Sequence, residues 1–192
     1  MIVTKLEMMT LDREAFISLI IADRDILTLL EIIETLDLPQ VCLCAGTIRT
    51  HVWDTLSGKT SNYAGDVDIA FFDPSATQNE TAVIEEFLKK NHPQFDWEVK
   101  NQAHMHLSND ASEPYGGVVD ALGKFPETCT AVGIYKTQDE FKLLAPHGIE
   151  DILNFVVRPT PYFLKSPQRM KKYYQRQEKK QWHKYWERIQ YR

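Results

Sequence analysis

Five apolar residues in a row, Val41-Cys-Leu-Cys-Ala45, follow Pro39 and Gln40 and end at Gly46. The run is too short for a helix, so it reads as a buried strand. A buried strand needs a sheet around it and helices over that sheet, and the flanking sequence supplies both. Upstream, Asp12 can cap a helix whose apolar positions are Phe16, Leu19 and Ile20, and a second stripe runs Ile26, Leu29, Leu30, Ile33 until Pro39 stops it. Downstream, Thr47 is placed as the N-cap of a helix with Ile48, Val52, Trp53 and Leu56 on its apolar face. A loop over 57–65 then feeds an alternating strand over 66–72, with Val67, Ile69 and Phe71 on one side and Pro74 at its end.

The rest follows the same alternation. The spacing predicts an amphipathic helix over 79–90 through Val83, Phe87 and Leu88, and strands over 96–99 (with an extension to 107), 130–135 and 141–144. A further helix is expected over 149–157, after Pro146 and Gly148. Helices first, then strands mixed with helices, give an α+β (α/β) class: a mixed sheet flanked by helices. We expect a domain over 1–164, including the N-terminal helices, and a basic aromatic helical extension over 165–192.

No apolar run reaches the roughly 18 residues of a membrane span, and the N-terminus lacks the order of a secretory signal. A cytoplasmic protein without membrane contact is expected. Cys42, Cys44 and Cys129 are odd in number and lack metal or disulfide spacing, so they read as buried reduced thiols. The net charge of -5 averages two unlike parts. Residues 165–192 carry ten Lys or Arg against two Glu, whereas residues 1–164 carry twelve basic against twenty-five acidic side chains.

The chemistry concentrates in Cys44-Ala-Gly-Thr-Ile-Arg49 and Gly65-Asp-Val-Asp-Ile69. Residues two apart on a strand share a face, so Asp66 and Asp68 present two carboxylates side by side. Magnesium suits such a pair, since it takes hard oxygen ligands from one or two carboxylates plus substrate phosphates. Gly46 lets backbone approach a phosphate at a helix N-terminus, Thr47 adds a hydroxyl, and Arg49 adds forked donors. Two aspartates on an edge strand would show the same D-x-D pattern without any of this chemistry.

Together these segments resemble the DNA polymerase beta-like nucleotidyltransferase superfamily, and more closely a bacterial nucleotidyltransferase-like family. The matching stretches are 44–54, Asp66-Val-Asp68, Val99-Lys-Asn-Gln-Ala103 with His106, 126–133 and Ala145-Pro-His-Gly-Ile-Glu-Asp151. The resemblance covers about residues 40–160 and, more loosely, the Trp-bearing C-terminus. It implies nucleotide phosphates at Gly46 and Thr47, and Mg2+ (or Mn2+) at Asp66 and Asp68. The superfamily's third carboxylate, which would help deprotonate the attacking hydroxyl, falls on Glu98; Asp96 shares that face and Asp120 is a more distant alternative. The interval of eighteen residues between Thr47 and Asp66 is longer than in many members.

Asn101 and Gln102 can read a base or ribose, or satisfy a sheet edge. His104 and His106 fall on one strand face with no third nitrogen or sulfur ligand near in sequence, which favours structural or substrate-contact roles. Thr128 and Thr130 can touch substrate or cap a strand, and Glu150 and Asp151 read first as acids at a helix N-terminus. In the extension, Trp182, Tyr185, Trp186 and Ile189 are spaced as one helix face, ringed by Lys171, Lys172, Arg176, Lys179, Lys180 and Lys184. That helix is either an RNA- or polyphosphate-binding arm or a docking helix against the acidic body. The expected function is metal-dependent transfer of a nucleoside monophosphate from an NTP to an unassigned acceptor hydroxyl, by a monomer. The alternative is a non-catalytic nucleotide- or RNA-binding protein with the same fold; a protein-binding adaptor is a third.

Overall fold

The computed structural model describes residues 12–60, 65–108, 113–138 and 140–192. Two capped helices open it, α1 (Arg13–Ile21), whose Ala15 amide donates to Asp12, and α2 (Arg24–Glu34), whose first amides donate to Asp23. They are followed by β1 (Cys42–Cys44), α3 (Ala45–Leu56), β2 (Asp66–Phe71), α4 (Gln78–Asn91) and β3 (Asp96–Asn101). Then come α5 (Gln102–Ser108), α6 (Val118–Gly123), a 3-10 turn over Thr128–Thr130, β4 (Gly133–Thr137) and β5 (Glu140–Leu144). The apolar run is the middle strand of a five-stranded sheet of order β3-β2-β1-β4-β5. It pairs antiparallel with β2 and β4, while β3 lies parallel to β2.

The two faces of the sheet are covered unequally. Leu43, Val67, Ile69, Phe71, Trp97, Val99 and Ile134 enter one large core with Phe16, Ile20, the α2 stripe and Ile48, Val52 and Trp53 of α3. Cys42, Cys44 and Ala70 turn the other way and meet Val118 and Leu122 of α6 in a smaller cluster. By the two-residue repeat, Asp66 and Asp68 share this second face. All three cysteines are buried free thiols. Among the described residues no helix is long and apolar enough to cross a membrane.

Several expectations are corrected. Helix α4 forms behind a capping box of Thr77 and Glu80, but Val83 and Phe87 stay exposed, because the helix turns Ile84 and Leu88, one turn apart, to the core. The strand that carries Glu98 ends at Asn101, whose side-chain oxygen accepts from the Ala103 amide and starts α5, so His104 and His106 lie on a helix. Their rings meet the Ala76 and Ala103 carbonyls at 2.7 and 3.0 Å. Thr130 belongs to the 3-10 turn. The helix expected over 149–157 splits into α7 (Glu150–Leu153) and β6 (Val156–Val157), because Phe155 adopts a left-handed conformation with φ 58°.

The extension forms α8 (Pro161–Leu164) and α9 (Pro167–Lys180). Gln181, at φ 46°, breaks α9 before the aromatic segment, which is a 3-10 turn over Trp182–Lys184 leading to β7 (Gln190–Tyr191). The Trp182, Tyr185, Trp186, Ile189 spacing is therefore not a helix stripe. Trp182 and Trp186 are buried edge-on against Trp53, at 5.7 and 5.1 Å between ring centroids, while Tyr185 is exposed. Trp186 also donates to Asp54 at 2.9 Å, and β7 pairs with β6. Trp182 and Trp186 of the extension are thus packed into the core of the molecule, on a 3-10 turn and the residues after it rather than on a docking helix.

Candidate active site

The junction of β1 and α3 is a tight turn in which Ala45 takes φ 52°, an uncommon conformation for a residue with a side chain. It aims the Gly46 amide at Asp68, which accepts at 2.8 Å. A Cβ on Gly46 would lie 2.8 Å from that same carboxylate oxygen, so the contact requires glycine. Cys44 occupies the N-cap position in place of Thr47 and makes no side-chain cap bond. The Thr47 hydroxyl instead reaches β2, donating to the Asp66 carbonyl at 3.2 Å and accepting from the Asp68 amide at 2.8 Å. Glycine and threonine thus lock the aspartate strand beneath the first turn of α3.

Register brings the third acid in. Asp68 stands opposite Glu98 across the parallel β2–β3 pair, and Asp66 opposite Asp96. Burial, and then the charge of Glu98, push the Asp68 carboxyl up to about 6, although the Gly46 amide and Arg49 act to lower it. Glu98 is half-exposed and pairs with Lys100 at 3.2 Å. Asp66, Asp68 and Glu98 line a cleft of about 350 Å³ together with Gly46, Thr47 and Arg49. Two like charges crowded at strand register, one of them desolvated, make a site that gains from a cation, and an all-carboxylate set suits a hard divalent ion. Among the described residues no three His, Cys, Asp or Glu side chains already stand in metal-holding geometry, so such an ion would draw them together with its other ligands.

Not every expected residue reaches the cleft. Asn101 is buried at the end of β3, opposite Phe71, and its amide bonds the Asp73 amide and carbonyl and the Ala103 amide; Gln102 follows it, also buried and outside the cleft lining. Asp120 lies elsewhere, bonded to Lys124 and the Gly116 amide. Asp151 accepts from Thr128 and Arg158, at 2.5 and 2.7 Å, which ties α7 to the 3-10 turn.

Two cleft residues come from the extension and were not expected there: Arg176 and Lys180, one helical turn apart on α9. Arg176 is held by fully buried Glu127 at 2.7 Å, which also accepts from Gln177 and Thr130. Burial, with Arg176 and Arg49 nearby, lowers the Lys180 ammonium, while Asp66 and Asp68 raise it. The i, i+4 spacing of Arg176 and Lys180 was visible in the sequence, but nothing there said that α9 folds back over β2.

A family model described as Nucleotidyltransferase matches residues 31–191. The chain belongs to that nucleotidyltransferase family. A solved NMR structure described as revealing a CCA-adding enzyme head domain is 38% identical, with a TM-score of 0.87 over 96% of this chain and 98% of that one. The apo form of a tRNA-processing enzyme aligns at 16% identity and a TM-score of 0.51, covering 81% of this chain but 42% of that enzyme, which supports the fold alone. No curated protein matches the sequence. As a nucleotidyltransferase, the protein is expected to be sensitive at Gly46. Gly46→Ala should weaken Mg-nucleotide binding roughly tenfold or more by displacing the Asp68 carboxylate, with a melting temperature close to wild type. Unchanged affinity in a titration would show that the close contact has no role.

Proposed function

We propose that this nucleotidyltransferase uses an NTP as donor and carries out transfer in the Gly46–Asp68 cleft. The observation that carries the reading is Asp68, desolvated between the Gly46 amide and Glu98 in the cleft. Asp66, Asp68 and Glu98 would hold Mg2+, or Mn2+; bound there, the ion would neutralise charge on the phosphates. The residues orient the donor so that an acceptor hydroxyl oxygen attacks the α-phosphorus in line. The new P–O bond forms as the bond to the β-phosphate's bridging oxygen breaks, pyrophosphate departs, and the hydroxyl proton passes to a carboxylate. Glu98, half-exposed beside Asp68, is the accessible base. Catalysis of this kind is mainly positioning and charge neutralisation.

RNA is the acceptor class we favour. The relatives are described as a CCA-adding enzyme head domain and a tRNA-processing enzyme, and the outer side of the extension presents exposed Lys171, Lys172, Lys179 and Lys184. A second reading, nucleotide or RNA binding without turnover, draws on the Gly46 amide and Thr47 hydroxyl, both of which are engaged by β2. Calorimetric titration with the four NTPs, in Mg2+ and then in EDTA, tests the donor site. Binding that requires the divalent ion and is lost in Asp66→Ala supports the enzyme reading. Affinity indifferent to both would favour the binding module.

A further inference from the structure

Arg49 belongs to the first turns of α3, yet its surroundings come from the other end of the chain. Its guanidinium stacks 4.2 Å from the centroid of Trp182 and 5.4 Å from that of Trp53. It is 6% exposed, and its Nε has no hydrogen-bond partner. One terminal nitrogen donates to Thr50 at 3.2 Å and lies 3.9 Å from where a Cβ on Gly46 would sit, so the charged end reaches the phosphate-facing turn. A buried guanidinium that forms no ion pair among the described residues, and whose Nε is unbonded, is costly unless an anion completes it.

Arg176 and Lys180 line the same cleft from α9. Their placement is built in: Glu127, fully buried, fixes Arg176 at 2.7 Å, and the Trp182 ring that carries Arg49 lies 5.8 Å from the Arg176 guanidinium. One wall of the cleft is therefore acidic, from β2 and β3, and the other is a group of three cations, two of them supplied by the extension. We infer that Arg49, Arg176 and Lys180 form a polyphosphate clamp that holds the β- and γ-phosphates of the donor, so that the C-terminal extension completes the nucleotide site. The inference rests on the donor-site reading above and adds to it which residues distinguish a triphosphate from a monophosphate. On this reading the extension is both a docking element and part of the substrate site. Its positive charge meets a small polyanion within the cleft, whatever the acceptor outside.

The test compares ATP, AMP and inorganic tripolyphosphate binding to the full chain in Mg2+. Lys180→Gln and Arg176→Gln are measured beside Lys90→Gln, which removes one exposed charge from α4, away from the cleft. Wild type should prefer ATP to AMP by roughly tenfold or more, and each cleft variant should lose about tenfold in ATP and tripolyphosphate affinity with AMP affinity unchanged. Lys90→Gln should behave as wild type. Since Arg176→Gln removes a partner of buried Glu127, its fold is checked by circular dichroism, and surface-lying Lys180→Gln provides an independent reading. A wild type that binds ATP while Lys180→Gln keeps the same ATP-to-AMP ratio overturns the clamp and leaves the donor site standing. A wild type that binds none of the three overturns both.

Discussion

Asp68→Asn is expected to yield a protein that melts higher at neutral pH and no longer transfers nucleotides. In the folded chain the Asp68 carboxyl is pushed up to about 6 from its ordinary value near 3.8, by burial and by Glu98. Between those two values the native state holds more protons than the unfolded one, so stability falls as pH rises through that window and the full penalty applies above it. Below the lower value the aspartate is protonated in both states and contributes no difference. The penalty at pH 7.5 is on the order of 2 kcal/mol, and asparagine removes it while still offering an oxygen to the Gly46 amide. Calorimetry in EDTA should show the variant melting about 4–8 °C above wild type at pH 7.5, with the gap closing near pH 4. Nucleotidyl transfer should fall by roughly 10²-fold to 10³-fold or more, since the group that would bind the ion and align the donor has lost its charge. An equal gap at both pH values would mean that Asp68 is not strained by its charge. A fold that is more stable without a charged group is the signature of a group kept for chemistry.

The second large effect concerns the extension. Trp182→Ala should cost about 3–5 kcal/mol, because a ring buried to 3% exposure against Trp53 leaves a cavity that neither α3 nor the 3-10 turn can close. For a chain of this size that corresponds to a melting temperature lower by roughly 10 °C. The same ring carries the Arg49 guanidinium. Nucleotide affinity should therefore fall as well, measured below the melting transition, and Trp182→Phe should restore most of both. If truncation of this ring changes neither, the extension is peripheral. A drop in stability with unchanged nucleotide affinity would leave the packing account intact and detach Arg49 from it.

How much of this was legible in the sequence depends on the range of the interactions. The apolar run at 41–45, the D-x-D alternation and the helix stripes of the first 56 residues are local patterns, and each lies on the expected element because a single period fixes which side chains meet the core. Glu98 was legible for the same reason, since alternation around Trp97 and Val99 put it on the face of Asp68. Thr47 was read as a cap because its position suited one; its hydroxyl turned instead to a strand nineteen residues on, a contact no local rule supplies. Asn101 and Gln102 were assigned by resemblance, and the carboxamide of Asn101 is occupied in starting α5. The aromatic spacing over 182–189 mimicked a helix, but Gln181 at φ 46° ended it and long-range packing on Trp53 set the conformation. Arg176, Lys180 and Glu127 were out of reach for the same reason, because their roles depend on α9 lying across the cleft.

The central claim is that the cleft between Gly46 and Glu98 moves a nucleoside monophosphate. The most direct measurement incubates the full chain with Mg2+, a small RNA pool and each NTP labelled in turn at the α- and at the γ-phosphate, then follows acid-insoluble label. The α-label is expected to enter the acceptor while the γ-label leaves as pyrophosphate, and Asp66→Asn and Asp68→Asn should lose the α-label signal. Transfer of the γ-label, or α-label incorporation that persists in both variants, would contradict that claim.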